Sequence, residues 1–181
     1  MISEQVALLA LSRVQATQLA VIHSLIEEVG SAKELIENAG NIKDIVPEAG
    51  PRLCELLNDE SLIVNAEKEI EFIEKNNITL ICKGDANYPY RLAECNDAPL
   101  VLHHMGNADL NAKHIVSIVG TRHASEYGKS VCENFVADLA KLVPDTLVVS
   151  GLAYGIDVCA HRAALKAGLP TIGVLAHGLD R

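Results

Sequence analysis

The chain has 181 residues and is 49% hydrophobic, which suffices for one or two folded cores and excludes disordered and fibrous classes. No apolar run approaches the roughly 20 residues of a membrane span, and the five cysteines form no C-x-x-C pair, so we expect a soluble cytoplasmic protein without a disulfide framework or zinc ribbon. The net charge of −9 is uneven, since residues 1–75 carry 14 acidic and 6 basic side chains and residues 76–181 carry 10 and 9. Polyanions are bound through Lys and Arg, so an anion site is expected after residue 75.

The first 75 residues have the periodicity of short helices. The helix predicted over Gln15–Val29 repeats apolar residues every three or four positions along one face. Ser31 is a natural N-cap for a second helix, Ala32–Asn38, and a third is predicted over Ser61–Lys75. We therefore predict a small all-helical domain over residues 1–75. Its acidity suits a protein partner better than DNA, which favours a docking or regulatory role.

One turn in this region partly resembles the helix-hairpin-helix turn that binds DNA backbones. It spans Ile45–Leu53, with Glu48 where that motif has a glycine. Its surroundings are acidic, so a purely structural turn is the favoured interpretation.

Four short apolar runs rich in β-branched residues follow residue 76. Continuous hydrophobicity of this kind is typical of strands buried on both faces of a parallel sheet. The predicted strands are Ile78–Cys82, Ile115–Val119, Leu147–Val149 and Thr171–Leu175. Between the first two, the segment Gly84–Gly106 contains two prolines and is predicted to be a long irregular connection.

Two helices are predicted between the last three strands. The first, Glu126–Val143, has Ser125 as its N-cap, and its predicted buried face consists of Phe135, Val136, Leu139 and Leu142. The second, Ile156–Ala167, turns small residues inward, which lets a helix lie close against a sheet. Alternating strands and helices with short turns predict an α/β fold over residues 76–181, a Rossmann-like and mostly parallel sheet that is incomplete in this chain.

The first turn with binding potential follows strand Ile115–Val119. In such sheets ligands collect at the carboxyl ends of the strands, where helix N-termini point free N–H groups at a shared crevice. Gly120 allows close backbone approach, Thr121 offers a hydroxyl, and Arg122 carries a planar fork suited to bidentate phosphate contact. The alternative is a tight turn with a solvated arginine.

The second turn, residues 149–157, ends a strand and opens a helix. Ser150, Gly151 and Gly155 are the small residues expected where backbone amides surround a phosphate. Asp157 and His161 are four residues apart and share one helix face. The aspartate is expected to cap amides, order the loop or pair with Arg122, whereas the histidine either donates to an anion or bonds to Asp157.

Other chemistries have little support in the sequence. There is neither a G-x-G-x-x-G nor a G-x-x-x-x-G-K-[ST] motif, so NAD and ATP are poorly supported. His103, His104, His114 and His123 each lack a carboxylate four residues away, which disfavours a metal site, and no serine lies in a G-x-S-x-G elbow. We therefore predict no metal, no cofactor and no catalytic residue.

From about Gly84 to Arg181 the chain resembles the DprA/Smf family of DNA-processing proteins. The lead-in matches at Tyr88-Pro89, Leu92 and Ala98–Leu102, followed by Gly106. The family's VG[ST]R segment resembles Val119–Arg122 with Ser125, Tyr127 and Gly128, and its SG-x-A-x-GID-x-x-AH segment resembles Ser150–His161. The next strand and its GLD exit resemble Thr171–Leu175 and Gly178–Asp180. The helical N-terminus resembles the family's sterile-alpha-motif-like domain only loosely.

The resemblance implies a protein that is not an enzyme. Members bind incoming single-stranded DNA during natural transformation, protect it, help load the RecA recombinase, and form homodimers. The family's phosphate-binding arginine corresponds to Arg122. The nucleic-acid-binding residues implied for this chain are Gly120, Thr121, Arg122, Ser150, Gly151, Ala153, Tyr154 and Gly155, with Asp157 and His161 supporting the pocket.

The chain departs from the family pattern at two points, its end and Tyr154. The chain ends just after the GLD exit, so the family's further strands and their basic residues are missing from it. Tyr154 lies between the loop glycines, where it either stacks on a base or lies on the surface.

The alternative function is a Rossmann-like enzyme of the nucleoside-monophosphate phosphoribohydrolase type, but its P-G-G-x-G-T-x-x-E loop is not in the sequence.

Overall fold

The computed structural model describes residues 2–14, 19–47 and 50–179 of the chain. These residues form two compact units, Met1–Met105 and Gly106–Arg181, so the division lies later in the chain than the predicted boundary after residue 75. Three sequence features lie partly outside the described residues: the start of the helix predicted over Gln15–Val29, the centre of the hairpin-like turn, and the end of the GLD exit.

The described part of the first unit begins with six helices, and three of them, α2, α3 and α6, correspond to the three helices predicted from the sequence. They are α1 (Glu4–Ser12), α2 (Leu19–Val29), α3 (Ala32–Glu37), α4 (Ile42–Ile45), α5 (Pro51–Leu57) and α6 (Glu60–Lys75), with a 3-10 turn at Ala39–Asn41. The predicted cap is confirmed, since the Ser31 hydroxyl accepts a hydrogen bond from the Glu34 amide at 3.0 Å. Helix α1 escaped prediction because five consecutive residues of it, Ala7 to Leu11, are buried, which leaves no amphipathic period to detect.

The predicted strand Ile78–Cys82 exists, but its assignment to the parallel sheet is wrong. It forms β1 (Thr79–Cys82), which pairs antiparallel with β2 (Val101–His104) inside the first unit. The intervening segment is also not wholly irregular, since it contains a short helix, α7 (Tyr90–Ala93). The Tyr88 hydroxyl donates to the Pro99 carbonyl at 2.7 Å, which helps to fold this connection back and to bring β2 alongside β1.

The second unit is the predicted parallel α/β arrangement. Its elements are β3 (Ile115–Ser117), α8 (Glu126–Leu142), β4 (Leu147–Ser150), α9 (Ile156–Ala167) and β5 (Thr171–Gly173). The strand order is β3-β4-β5, with Ile115 opposite Leu147 and Val148 opposite Thr171. The Rossmann-like fold class is confirmed. None of the described helices in either unit has both the length and the hydrophobicity needed to cross a bilayer.

The core of the second unit lies between the sheet and its two helices. On α9 the predicted small-residue face is confirmed, with Cys159, Ala160 and Ala164 buried against Val148. On α8 the predicted face is only partly right, because Cys132 and Val136 are the buried residues. Phe135 and Leu142 are 51% and 80% exposed. The helix is apolar on more than one side, and packing against α9 selects the side that carries Cys132.

Candidate nucleic-acid interface

The two predicted turns lie together at the carboxyl ends of β3 and β4. The Ile118 amide donates to the Val149 carbonyl at 2.9 Å, which extends the pairing of these strands towards the turns. At the start of α9, the Ile156 amide donates to the Thr121 carbonyl at 3.2 Å, so the second turn is bonded directly to the first. This is the crevice at which parallel α/β sheets bind ligands.

Two glycines make this approach of the turns possible. A Cβ atom on Gly155 would lie 2.1 Å from the Thr121 carbonyl oxygen, and the residue has a φ of +84°. A Cβ atom on Gly120 would lie 2.6 Å from the Cβ of Ile156. A side chain at either position would therefore separate the turns, and at Gly155 it would also strain the backbone.

Asp157 lies between the turns and contacts both. It is 5% exposed, and its Oδ1 atom accepts a hydrogen bond from the Gly120 amide at 3.3 Å. Its Oδ2 atom is 2.9 Å from the position that a Cβ on Gly151 would occupy, so Gly151 makes room for the carboxylate. Of the sequence-based alternatives, ordering of the turns is the one found: among the described residues Asp157 forms no ion pair with Arg122.

His161 is directed at the sheet and does not hydrogen-bond to Asp157. It is 6% exposed, and its Nδ1 atom lies 2.7 Å from the hydroxyl oxygen of Thr171, which in turn donates to the Val148 carbonyl. Burial lowers the pKa of His161, while the nearby Asp157 carboxylate acts in the opposite direction. The sequence singled out this histidine, but no signal in it identified Thr171 as the partner.

Ser150 contributes to the turn from inside the fold. Its hydroxyl donates to the Ile118 carbonyl at 2.6 Å, and the residue is 3% exposed. The side chain therefore ties β4 to the end of β3 and does not face solvent. Any contact of Ser150 with a ligand is left to its main chain.

The exposed groups of the site are an arginine, an aromatic ring and a run of amides. Arg122 is exposed and forms no ion pair within the described part of the chain. The ring of Tyr154 is 85% exposed, and Ala153 is half-buried. In the same part of the chain, the backbone amides of residues 151–155 donate to no protein acceptor. These N–H groups are free to bind an anion.

Thr121 has a local role in shaping the arginine turn. It is exposed, and its hydroxyl oxygen accepts a hydrogen bond from the His123 amide at 3.2 Å. This bond holds the chain on either side of Arg122, as Thr side chains do in turns.

Sequence reasoning missed the apolar rim of the site. Val119, Leu152 and Val174 are 80%, 52% and 62% exposed, and they follow the ends of β3, β4 and β5. Val119 and Val174 were predicted to lie in strands, but β3 ends two residues before Val119 and β5 ends one residue before Val174. Leu152 has a φ of +55°, a left-handed conformation that only the three-dimensional structure reveals.

The structure also shows a cavity away from the turns and bears on the question of a metal site. A cavity of about 780 Å³ lies at the opposite end of the sheet, with His114, Pro144 and Pro170 in its lining, just before the three strands begin. Across the described ranges, no three His, Cys, Asp or Glu side chains are grouped as ligands for a metal ion.

Comparison with known proteins places the chain in a family. The model of the family described as DNA recombination-mediator protein A matches residues 79–181. The DNA processing protein DprA of Streptococcus pneumoniae is 43% identical over 96 residues, which are 53% of this chain and 33% of that protein. Protein Smf of Synechocystis is 31% identical over 182 residues, which cover 98% of this chain and 45% of that protein.

A solved structure agrees with these matches. The X-ray structure of DprA from S. pneumoniae aligns with a TM-score of 0.55 and 26% identity, covering 91% of this chain and 60% of that one. The chain thus spans between a third and a half of the length of the two curated relatives named above. The family match includes both turns at the carboxyl ends of β3 and β4. This chain belongs to the DprA/Smf family of DNA recombination-mediator proteins.

Proposed function

We propose that this chain is part of a protein that binds single-stranded DNA during natural transformation, protects it and helps load the RecA recombinase. The names of the relatives, DNA processing protein and recombination-mediator protein, support a role in DNA processing. The binding of single-stranded DNA, its protection and the loading of RecA are proposed from the family resemblance, as is the homodimer of the full-length protein. The binding site proposed here is the pair of joined turns that carries Arg122.

The observation that carries this proposal is that Arg122, which forms no ion pair among the described residues, lies on a turn whose backbone packs against Gly155, in the run of amides that have no protein acceptor. Arginine binds phosphate through two parallel N–H groups, and amides at the start of a helix favour an anion. Because the chain has a net charge of −9, the attraction has to be local to this site. The affinity is expected to fall as salt is added, with a logarithmic slope of about 0.7 for each phosphate of a single strand that a cation neutralises.

The exposed apolar groups beside the arginine favour single-stranded DNA over duplex. The ring of Tyr154 is available for stacking, a contact worth about 1–3 kcal/mol per base in other proteins. Leu152 and Val119 are exposed apolar side chains of the same two turns. Bases offer their faces to such groups only when they are unpaired.

The polar side chains of the site favour binding over catalysis. Asp157, His161 and Ser150 are all at least nine-tenths buried, and each has a hydrogen-bond partner within the fold. A general acid or base has to come within hydrogen-bond reach of its substrate. We therefore propose that the protein is not an enzyme.

The test is fluorescence anisotropy of labelled oligo-dT at about 50 mM and about 200 mM salt. We expect salt-sensitive binding to the wild-type chain, and Arg122→Ala should remove most of it and lower the salt slope by about one. Arg162→Ala is the matched control, since Arg162 is also exposed but lies on α9 away from the turns. Equal affinities for wild type and Arg122→Ala would refute the assignment of the site.

A further inference from the structure

We propose that the carboxylate of Asp157 makes the phosphate site selective for internal phosphodiesters over terminal phosphate monoesters. A phosphodiester carries one negative charge, whereas a phosphate monoester at neutral pH carries about 1.5 to 2. This inference rests on the proposed function, because it assumes that a phosphate binds at the joined turns. It adds the kind of phosphate that the site accepts.

The carboxylate lies between the two turns that carry the groups proposed to bind phosphate. Its Oδ1 atom is 3.3 Å from the amide nitrogen of Gly120, two residues before Arg122. Its Oδ2 atom lies against Gly151, where the run of free amides begins. A phosphate bound by Arg122 and these amides is therefore a close neighbour of a fixed negative charge.

Burial makes this charge effective. Asp157 is 5% exposed, so water and salt screen it far less than a surface carboxylate. Its hydrogen bond to the Gly120 amide favours this position of the carboxylate between the turns. Repulsion by this carboxylate is expected to lower the affinity for a ligand with one extra negative charge by about tenfold.

The charges within the two turns nearly cancel. Arg122 supplies the cation and Asp157 the anion, and the exposed His123 is the one other ionisable side chain of the first turn. Arg122 and the amide dipoles compensate a monoanion, whereas the second charge of a monoester faces Asp157 without a further cation. The site is thus suited to the interior of a strand, and free nucleotides and phosphorylated ends are disfavoured.

The test uses two competitors that differ by one negative charge and one methyl group: thymidine 5′-monophosphate and its methyl ester, each displacing labelled oligo-dT from the full chain. With the wild type, the methyl ester should compete about tenfold better. Asp157→Asn retains an oxygen that accepts from Gly120 and removes the charge, so the difference between the competitors should disappear. Asp138→Asn, which removes a surface carboxylate on α8, should leave the difference unchanged.

The possible outcomes distinguish failure of this inference from failure of the proposed function. Equal competition by the two compounds with the wild type overturns the inference, and this result needs no variant to fold. A preference that persists in Asp157→Asn overturns the role of Asp157. If oligo-dT itself does not bind to the wild type, the proposed function fails and the inference fails with it. Binding of oligo-dT without selectivity refutes the inference alone.

Discussion

The Nδ1 atom of His161 faces the hydroxyl of Thr171, and this contact defines which nitrogen carries the proton. The hydroxyl has one hydrogen, which it donates to the Val148 carbonyl at 2.9 Å, so it accepts from His161. In the neutral imidazole the proton therefore lies on Nδ1, and the buried Nε2 atom has no hydrogen-bond partner among the described residues. Protonation would add a second N–H in a place that offers it no acceptor.

The first prediction is a loss of stability in acid that depends on His161. Burial lowers its pKa in the folded state below the usual value near 6.5, so the unfolded chain takes up the proton first. The stability due to neutral His161 is complete above about pH 6.5 and declines as the pH falls towards the folded-state pKa. Urea unfolding at about pH 7.5 and about pH 5.5 should show a smaller decline for His161→Gln than for wild type.

His114→Gln provides the control for this experiment. His114 is exposed just before β3, so its replacement should not change how the free energy of unfolding varies with pH. Identical pH profiles for wild type and His161→Gln would contradict the prediction.

The second prediction concerns the close contact at Gly155. Gly155→Ala would place a Cβ atom 2.1 Å from the Thr121 carbonyl at a φ of +84°. Gly168→Ala shares the positive φ, at +76°, but its Cβ would meet no atom within 4 Å. The free energy of unfolding should therefore fall by about 1–3 kcal/mol more for Gly155→Ala, the usual cost of overpacking. Equal losses in thermal or urea unfolding would show that the turns separate freely.

The third prediction separates stability from binding at Ser150. Ser150→Ala removes the buried hydrogen bond to Ile118 and should lower the free energy of unfolding by about 1–2 kcal/mol. The affinity for oligo-dT should stay at the wild-type value, because the hydroxyl does not face the ligand. Arg122→Ala should behave oppositely, since an exposed side chain changes stability by about 0.5 kcal/mol or less. A loss of affinity in folded Ser150→Ala would mean that the hydroxyl reaches the DNA.

The fourth prediction orders the reactivity of three cysteines. Burial raises the pKa of Cys82 and of Cys132 to about 11, whereas Cys95 is exposed. Because the thiolate is the reacting form, brief alkylation at about pH 8 should label Cys95 well before the other two, as read by peptide mass spectrometry. In urea the three should react alike. Labelling of native Cys132 at the rate of Cys95 would contradict the packing of α8 against α9.

The parallel sheet was predictable because its evidence is local. Each of β3, β4 and β5 is a short apolar run, and glycine-containing turns and helical periods separate them. The pairing of β1 was not predictable in this way. Its sequence resembles those strands, but its partner β2 ends in His103 and His104 and lacks the apolar continuity of a buried strand. Pairing depends on which segment the chain brings alongside, and composition does not carry that information.

The candidate site was predicted in composition but not in its contacts. The sequence identified both turns, Arg122 and the loop glycines. It left three roles open for Asp157, because choosing among them required the distance to the Gly120 amide. The outward conformation of Leu152 and the inward one of Ser150 likewise depend on backbone angles and packing that spacing does not determine.

The antiparallel pair β1–β2 has a practical consequence for dividing this protein into fragments. The family match begins at residue 79, inside the first unit, where β1 packs on α6 and β2 on α1. A fragment that starts at residue 76 would remove those helices and leave Ile81 and Leu100, both almost fully buried in the whole chain, open to water. Such a fragment should aggregate on expression, whereas one that starts at Gly106 keeps the core around Val136 and Val148 complete.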